Sequence, residues 1–253
     1  RGLIRVKRSG VLSGLRVAQE VFRQADDGLA FAPRAADGDA VEEGLVVAAV
    51  SGSVRSILLA ERLALNFLQH LSGIATQTAA FVARIRGTGV QILDTRKTTP
   101  GMRLLEKCAV RHGGGANHRM GLFDAVMIKD NHIVAVGGIA RALEILSHAR
   151  PDVQVVLELR SLSEIGHAVG SPVDRLLLDN FTPEEITRAV GILRQSERET
   201  GRRIEIEVSG GVTLETVAAY AQPGVDFISI GSLTHSARAL DISLDLEREA
   251  HLR

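Results

Sequence analysis

From about residue 88 the chain repeats one pattern: a short apolar run, a polar or glycine-bearing turn, then a helical stretch. That repetition constrains the fold more than any other feature. The apolar runs span residues 90–93, 125–128, 153–157, 175–178, 204–208 and 227–230. Helical patterns at 102–111, 139–149, 162–169, 183–200 and 214–221 lie between them, each long enough for a crossover. The alternation predicts a parallel sheet covered by helices. No glycine fingerprint of a dinucleotide-binding turn follows the first run, so a barrel is preferred to a doubly wound sheet.

The first fifty residues differ, with short apolar runs punctuated by Gly, Asp and Pro around one helix at 14–24. Ile57, Ala60, Ala64, Phe67 or Leu68, and Leu71 then recur three or four apart and predict an amphipathic helix over 54–71, with Arg55, Arg62, Asn66 and Gln69 on its polar stripe. Thirty basic residues balance thirty acidic ones, there is no Trp and a single Tyr, and so neither charge nor stacking favours broad nucleic-acid binding. The lone Cys108, expected on a helix face, excludes an intrachain disulfide and suits a reducing, cytoplasmic compartment. No apolar stretch reaches membrane-spanning length, and a start at Arg rather than Met reads as a fragment or processed form.

In a parallel barrel the chemistry gathers at the carboxyl ends of the strands. Those ends are Asp94-Thr95-Arg96-Lys97, Lys129-Asp130-Asn131-His132, Glu158, Asp179-Asn180, Ser209-Gly210-Gly211 and Gly231-Ser232. The two glycine turns, with Thr213 as the expected N-cap of the helix after the first, predict an anion cradle of backbone N–H groups and helix dipole. Only four basic residues are lysine, and Lys97, Lys107 and Lys129 fall within one short span. Arg103, Lys107 and Arg111, four apart, read as a solvated helix face. Arg96, Lys97, His118, Arg119 and Lys129 instead sit at strand ends or after a triple glycine, and their convergence requires a polyanionic ligand, a dicarboxylate or a polyphosphate. Glu158 and Asp179 in that positive setting suit either Mg²⁺ or ion pairs, and His118 either a general acid or a hydrogen-bond donor. No arrangement for covalent catalysis stands out.

The strings Asp94-Thr95-Arg96-Lys97-Thr98-Thr99-Pro100-Gly101, His112-Gly113-Gly114-Gly115-Ala116-Asn117-His118-Arg119-Met120-Gly121-Leu122 and Ile128-Lys129-Asp130-Asn131-His132 closely resemble the quinolinate phosphoribosyltransferase family. The likeness continues through residues 61–68, Leu178-Asp179-Asn180, Ser209-Gly210-Gly211 and 231–236. It implies an α/β fold with an N-terminal α/β sandwich domain (1–72, with 237–253 packing back) and an incomplete parallel α/β barrel (73–236). It also implies a homodimer in which Arg62 reaches the neighbour's site. The implied reaction joins quinolinate to phosphoribosyl pyrophosphate with Mg²⁺, giving nicotinate mononucleotide, pyrophosphate and CO₂ in de novo NAD synthesis. Arg62, Arg96, Lys97, His118, Arg119 and Lys129 would bind carboxylates and phosphoribosyl oxygens. Ser209, Gly210, Gly231 and His235 would lie near phosphate, Glu158 and Asp179 would serve ribose and metal, and Lys97, Glu158 and Asp179 form the expected catalytic set. Val156 and Arg160 beside Glu158 depart from the family's more acidic strand and bear on metal binding. Two alternatives are a related enzyme of molybdenum-associated operons, which intact Thr95-Arg96-Lys97 and His118-Arg119 disfavour, and a non-catalytic phosphate-binding barrel subunit, for which Arg160 is the best clue.

Overall fold

The computed structural model describes residues 1–149 and 152–247. In chain order the elements are β1 (Gly2–Val6), β2 (Gly10–Val11), α1 (Leu15–Ala25), β3 (Ala30–Pro33), β4 (Ala40–Val41), β5 (Val46–Ser51), α2 (Val54–Arg84), β6 (Gln91–Leu93), α3 (Arg103–His112), β7 (Ala125–Ile128), α4 (Asp130–Val136), α5 (Ile139–Ala149) and β8 (Gln154–Leu159). A 3₁₀ turn at Leu162–Glu164 leads into α6 (Ile165–Ala168), followed by β9 (Arg175–Asp179), α7 (Pro183–Thr200), β10 (Glu205–Ser209), α8 (Val217–Tyr220), β11 (Phe227–Ser229), α9 (Ser232–His235) and β12 (Ile242–Leu246). The chain divides into two compact units.

The first unit comprises Arg1–Ala80, Lys97–Gly115 and the segment from Ser232. Its main sheet runs β12-β1-β5-β3, all antiparallel. Alternate residues of β1 are buried, as a one-sided sheet requires, and Ile4, Val6, Val47 and Val50 share a core with Phe22 of α1 and Ile57, Ala64 and Leu68 of α2. The strand β12 was not expected from the sequence. It pairs with β1 from Gly2↔Leu246 to Val6↔Ile242, and Gln69 fixes its start by donating to the Ile242 carbonyl at 2.7 Å. Residues 248–253 of the expected returning segment lie outside the described residues.

The helix α2 runs past the expected stop at 71 because Ser72-Gly73 does not break it. The hydroxyls of Thr76 and Thr78 bond the carbonyls four residues back, and Gly73 lets the Arg238 backbone approach where a Cβ would overlap the Arg238 carbonyl oxygen. Gly113 does the same for the end of α3, where a Cβ would overlap the Ala75 carbonyl oxygen of α2. His70 Nε2 and Glu106 Oε1, 2.8 Å apart, add a polar tie between α2 and α3. These contacts explain why Lys97–Gly115 groups with the first unit, so that compactness draws boundaries other than 72/73 and 236/237. Lys107, expected on a solvated face, is only 1% exposed, whereas Arg111 is exposed.

The second unit, Phe81–Arg96 and Ala116–Gly231, holds a parallel sheet in the order β6-β11-β10-β9-β8-β7. The strands were read as almost wholly apolar, but their register separates two faces. Val155, Leu157, Leu176, Leu178, Ile206, Val208 and Ile228 are buried on one face. Arg175, Glu205, Glu207, Asp179 and Glu158 all fall on the other, because Glu205↔Arg175↔Val156 and Glu207↔Leu177↔Glu158 are in register. The helix α7 follows its sequence signals, with Thr182 accepting from the Glu185 N–H, Pro183 in the first turn and Gly201 at φ 71° closing it. Elsewhere the expected helices shorten: residues 162–169 form a 3₁₀ turn and the single turn α6, and 214–221 contracts to α8, with Thr216 instead of Thr213 at its N-cap position and no side-chain cap.

Two glycines test this packing. Gly113→Ala should lower the thermal midpoint, with a cost of about 1–3 kcal/mol for overpacking. Gly191→Ala, on the exposed side of α7 with open space around its Cβ position, should raise stability by about 0.5–1 kcal/mol. Denaturant melts of the two variants should therefore move in opposite directions.

Candidate active site

Within the second unit the strand ends bring several expected residues onto one face. Ser209 is the register partner of Asp179, and Glu158 pairs with Leu177, two residues before Asp179 on the same face. Lys129 follows β7 directly, and its Nζ lies 2.5 Å from Glu158 Oε2. Glu158, read as the residue just after its strand, is the penultimate residue of β8 and only 6% exposed. The ion-pair reading of Glu158 is thus realised by Lys129. The two departures from the family pattern leave Glu158 alone: Val156 is core, and Arg160 pairs with Asp130 at 2.6 Å.

The turn after β9 interlocks with the turn after β10. Asn180, at φ 58°, is the one non-glycine residue with positive φ among the described residues, and its N–H donates to the Ser209 carbonyl at 2.8 Å. Its side-chain amide also donates to Asp179 Oδ2 at 2.9 Å. Gly210 has φ 99°, and a Cβ there would overlap Asn180 Oδ1, so two separate constraints demand glycine. Gly211 is also left-handed, at φ 60°. The helices α8 and α9, which follow the glycine turns at 209–211 and 231–232, are single turns of four residues. Their dipoles are small, and the glycine backbone itself has to provide any cradle for an anion.

The segment after the triple glycine is held from below by Asp94, which is fully buried. Asp94 Oδ1 accepts the His118 backbone N–H at 2.8 Å and Oδ2 accepts from Asn117 Nδ2 at 2.5 Å. The Arg119 guanidinium donates to the Ala125 carbonyl at 3.0 Å. Desolvation, and then the charge of Arg96, lower its pKa, and the Asp124 carboxylate partly offsets them. The His118 ring is enclosed: Nδ1 accepts the Arg119 backbone N–H at 2.7 Å, and Nε2 lies 3.2 Å from Glu207 Oε2. Burial alone would raise the Glu207 pKa, but the nearby His118, with Ser229 and Arg175, holds it below the ordinary carboxylate value. Arg175 bonds Glu205 and Glu207 and stacks 3.9 Å from the Phe227 ring centroid.

Glu207 and Arg175 were missed from the sequence. The available signal was the alternation Ile204-Glu205-Ile206-Glu207-Val208, with acids at every second position of an otherwise apolar run. Three expected residues belong to the first unit. The Lys97 carbonyl accepts the Thr234 hydroxyl at 2.7 Å, and the following loop is tied by the Thr99 N–H to Glu106 Oε2 at 3.1 Å. His235 is exposed, its Nδ1 lying 2.6 Å from Ser236 Oγ. Arg62 lies on α2 with its side chain 73% exposed. Among the described residues no group of three or more His, Cys, Asp or Glu side chains is disposed to hold a metal ion.

Comparison with known proteins gives this geometry a family. Residues 1–72 match "Quinolinate phosphoribosyl transferase, N-terminal domain" and residues 74–245 match the C-terminal domain of the same name. The chain belongs to the quinolinate phosphoribosyltransferase family. A chloroplastic nicotinate-nucleotide pyrophosphorylase [carboxylating] of Arabidopsis thaliana is 44% identical over 97% of this chain and 74% of its own length. The corresponding Mycobacterium leprae protein is 43% identical over 95% and 84%. The crystal structure of the nicotinate-nucleotide pyrophosphorylase from Francisella tularensis superposes with a TM-score of 0.89 at 39% identity, covering 97% of this chain and 85% of that one. The quinolinate phosphoribosyltransferase fold is α/β, with the antiparallel N-terminal sheet and the parallel six-stranded sheet seen here. No helix among the described residues is long and apolar enough to cross a membrane.

The depressed Glu207 carboxyl makes stability depend on pH in a defined sense. Its contribution is complete above the ordinary carboxylate value of 4.5 and is lost as pH falls through the lower native value. Unfolding midpoints measured from pH 6 down to pH 3 should show wild type losing stability more steeply than Glu207→Gln, and the gap between the two should narrow towards the acid end.

Proposed function

We propose that this chain transfers the phosphoribosyl group of phosphoribosyl pyrophosphate to quinolinate, with release of pyrophosphate and CO₂, to give nicotinate mononucleotide. The observation that carries the reading is the partly desolvated Arg119, under the charge of Arg96, at the end of the sheet that also carries Lys129, Glu158 and Asp179, in a member of this family. Neighbouring guanidinium groups favour an anion, and a dianionic pyridine dicarboxylate suits them. Arg96, Lys97, Arg119 and Lys129 hold the carboxylates and phosphoribosyl oxygens. His118 belongs to the same wall. Asp179 and Glu158 face the ribose, and Ser209, Gly210, Gly231 and His235 lie towards phosphate.

Held in line, the pyridine nitrogen forms its bond to the anomeric carbon as the bond to pyrophosphate breaks, and the ribose carbon is cation-like in between. The ring nitrogen of the product is positive. The adjacent carboxylate then leaves as CO₂, its bonding pair is stabilised by that nitrogen, and the ring carbon takes up a proton, so no Schiff-base lysine is needed. Mg²⁺ would neutralise pyrophosphate charge as that group departs. Two carboxylates on one face, Glu158 being shared with Lys129, suit an ion that arrives with its phosphates and not a cage built by protein alone.

A homodimer with shared sites follows from Arg62. Leu58, Leu59 and Leu63 are 52%, 74% and 52% exposed beside it on α2, an apolar strip that a second copy would cover while delivering the arginine. Cytoplasmic residence is proposed on the single free thiol of Cys108.

Incubation with quinolinate, phosphoribosyl pyrophosphate and Mg²⁺ should release labelled CO₂ together with nicotinate mononucleotide. Substrate binding without product would instead support a non-catalytic subunit. Arg119→Ala should abolish turnover with the fold intact by circular dichroism. Mixing and re-equilibrating Arg119→Ala with Arg62→Ala should return about one quarter of wild-type activity, because half of the dimers are mixed and each of those holds one whole site. No recovery on mixing would exclude sharing.

A further inference from the structure

Lys97 is exposed, as are Thr99, Pro100 and Gly101 after it, yet the backbone of this loop is fastened to two buried side chains. The hydroxyl of Thr234 in α9, a residue 2% exposed, donates to the Lys97 carbonyl at 2.7 Å. In the next peptide unit the Thr99 N–H donates to Oε2 of Glu106 in α3 at 3.1 Å, and Glu106 is fully buried. The other carboxylate oxygen, Oε1, lies 2.8 Å from His70 Nε2 of α2, which sets the rotation of the carboxylate. Around these two points Arg103 Nε donates to Thr98 Oγ1 at 3.1 Å, and the Met102 N–H donates to the Thr99 carbonyl at 3.0 Å. All of these residues belong to the first unit.

Stability alone does not call for this arrangement. An exposed loop can bond its N–H and C=O groups to water, whereas a carboxylate withdrawn from water is costly unless its charge is met. A charged acceptor also bonds about twice as strongly as a neutral one, so Glu106 holds Thr99 more firmly than a surface turn needs. Directly before the two fastened peptide units stands a lysine. Its ammonium rides on a flexible four-carbon stem and is aimed only as well as the backbone from which the stem starts. We propose that Thr234 and Glu106 are positioning residues: together they clamp the two peptide units that follow Lys97 and so set the point from which its ammonium reaches the anionic substrates, with His70 steadying the Glu106 carboxylate. The inference rests on the proposed reaction for the role of Lys97.

Thr234→Val removes the hydroxyl at nearly constant shape, and Thr234→Ser keeps it. Thr234→Val and Glu106→Ala should each lower kcat/KM roughly tenfold to a hundredfold, the scale of a small misplacement of a working group, while Thr234→Ser should stay close to wild type. In a Lys97→Ala background either change should cost less than about twofold more, because a residue that acts through Lys97 then has nothing left to position. A purely structural role would multiply the two losses instead. Where Lys97→Ala leaves too little turnover to measure, calorimetric dissociation constants for quinolinate and phosphoribosyl pyrophosphate complete the same cycle. Hydrogen exchange read by mass spectrometry should be faster over residues 97–102 in Glu106→Ala, and to a smaller degree in Thr234→Val, with residues 117–124 unchanged. Multiplied losses, full activity in Thr234→Val, or unaltered exchange over 97–102 overturns the proposal. Should Glu106→Ala fail to fold, the two Thr234 variants decide. Should wild type make no nicotinate mononucleotide, the proposed reaction falls, while exchange over 97–102 tests the clamp separately.

Discussion

Charge inside a parallel sheet is tolerated only where every charge is met, and the second unit is organised around that requirement. Its register places Arg175, Glu205, Glu207, Glu158 and Asp179 on a single face and reserves the other for aliphatic side chains. Shifting one strand by a residue would exchange those faces and bury unpaired acids against apolar surface. The ion pairs therefore specify register as well as lying near the chemistry. Arg175 bridges β9 to two positions of β10, and Lys129 closes on Glu158 across β7 and β8.

The same requirement explains which residues stay polar at the strand ends. Asp94 gives both carboxylate oxygens to the loop that carries His118 and Arg119 and so anchors that loop. In the first unit Glu106 does comparable work, accepting the Thr99 N–H of the loop after Lys97 and meeting His70. Buried acids thus hold the backbone of the loops that carry the site's cations.

Much of this was legible in the sequence. The six strands, α5 and α7 follow from hydrophobic period and capping residues, because local signals and tertiary packing agree there. Other elements depended on contacts that no local pattern encodes. The continuation of α2 through Gly73 depends on the approach of the Arg238 backbone, more than a hundred residues later. Lys107 sits in a stripe with Arg103 and Arg111 yet is buried, since a helical repeat of charges does not say which turn meets a neighbour. The strand β12 carries the alternation Ile242, Leu244, Leu246, but its pairing with β1 joins the two ends of the chain. At the site, motifs marked the cations and glycine turns. Glu207 escaped because an acid in a strand reads as solvent-facing until the register fixes its side.

The site that emerges is built on repulsion. Burial weakens the charged state of Arg119, and the charge of Arg96 weakens it further. The exposed Asp124 carboxylate offsets part of that repulsion, and the buried acids nearby also have partners of their own: Asp94 meets backbone, Glu207 meets Arg175, and Glu158 meets Lys129. Because the two guanidinium groups sit on different segments, one after β6 and the other after the triple glycine, a rigid ligand with two carboxylates can meet both while keeping their separation.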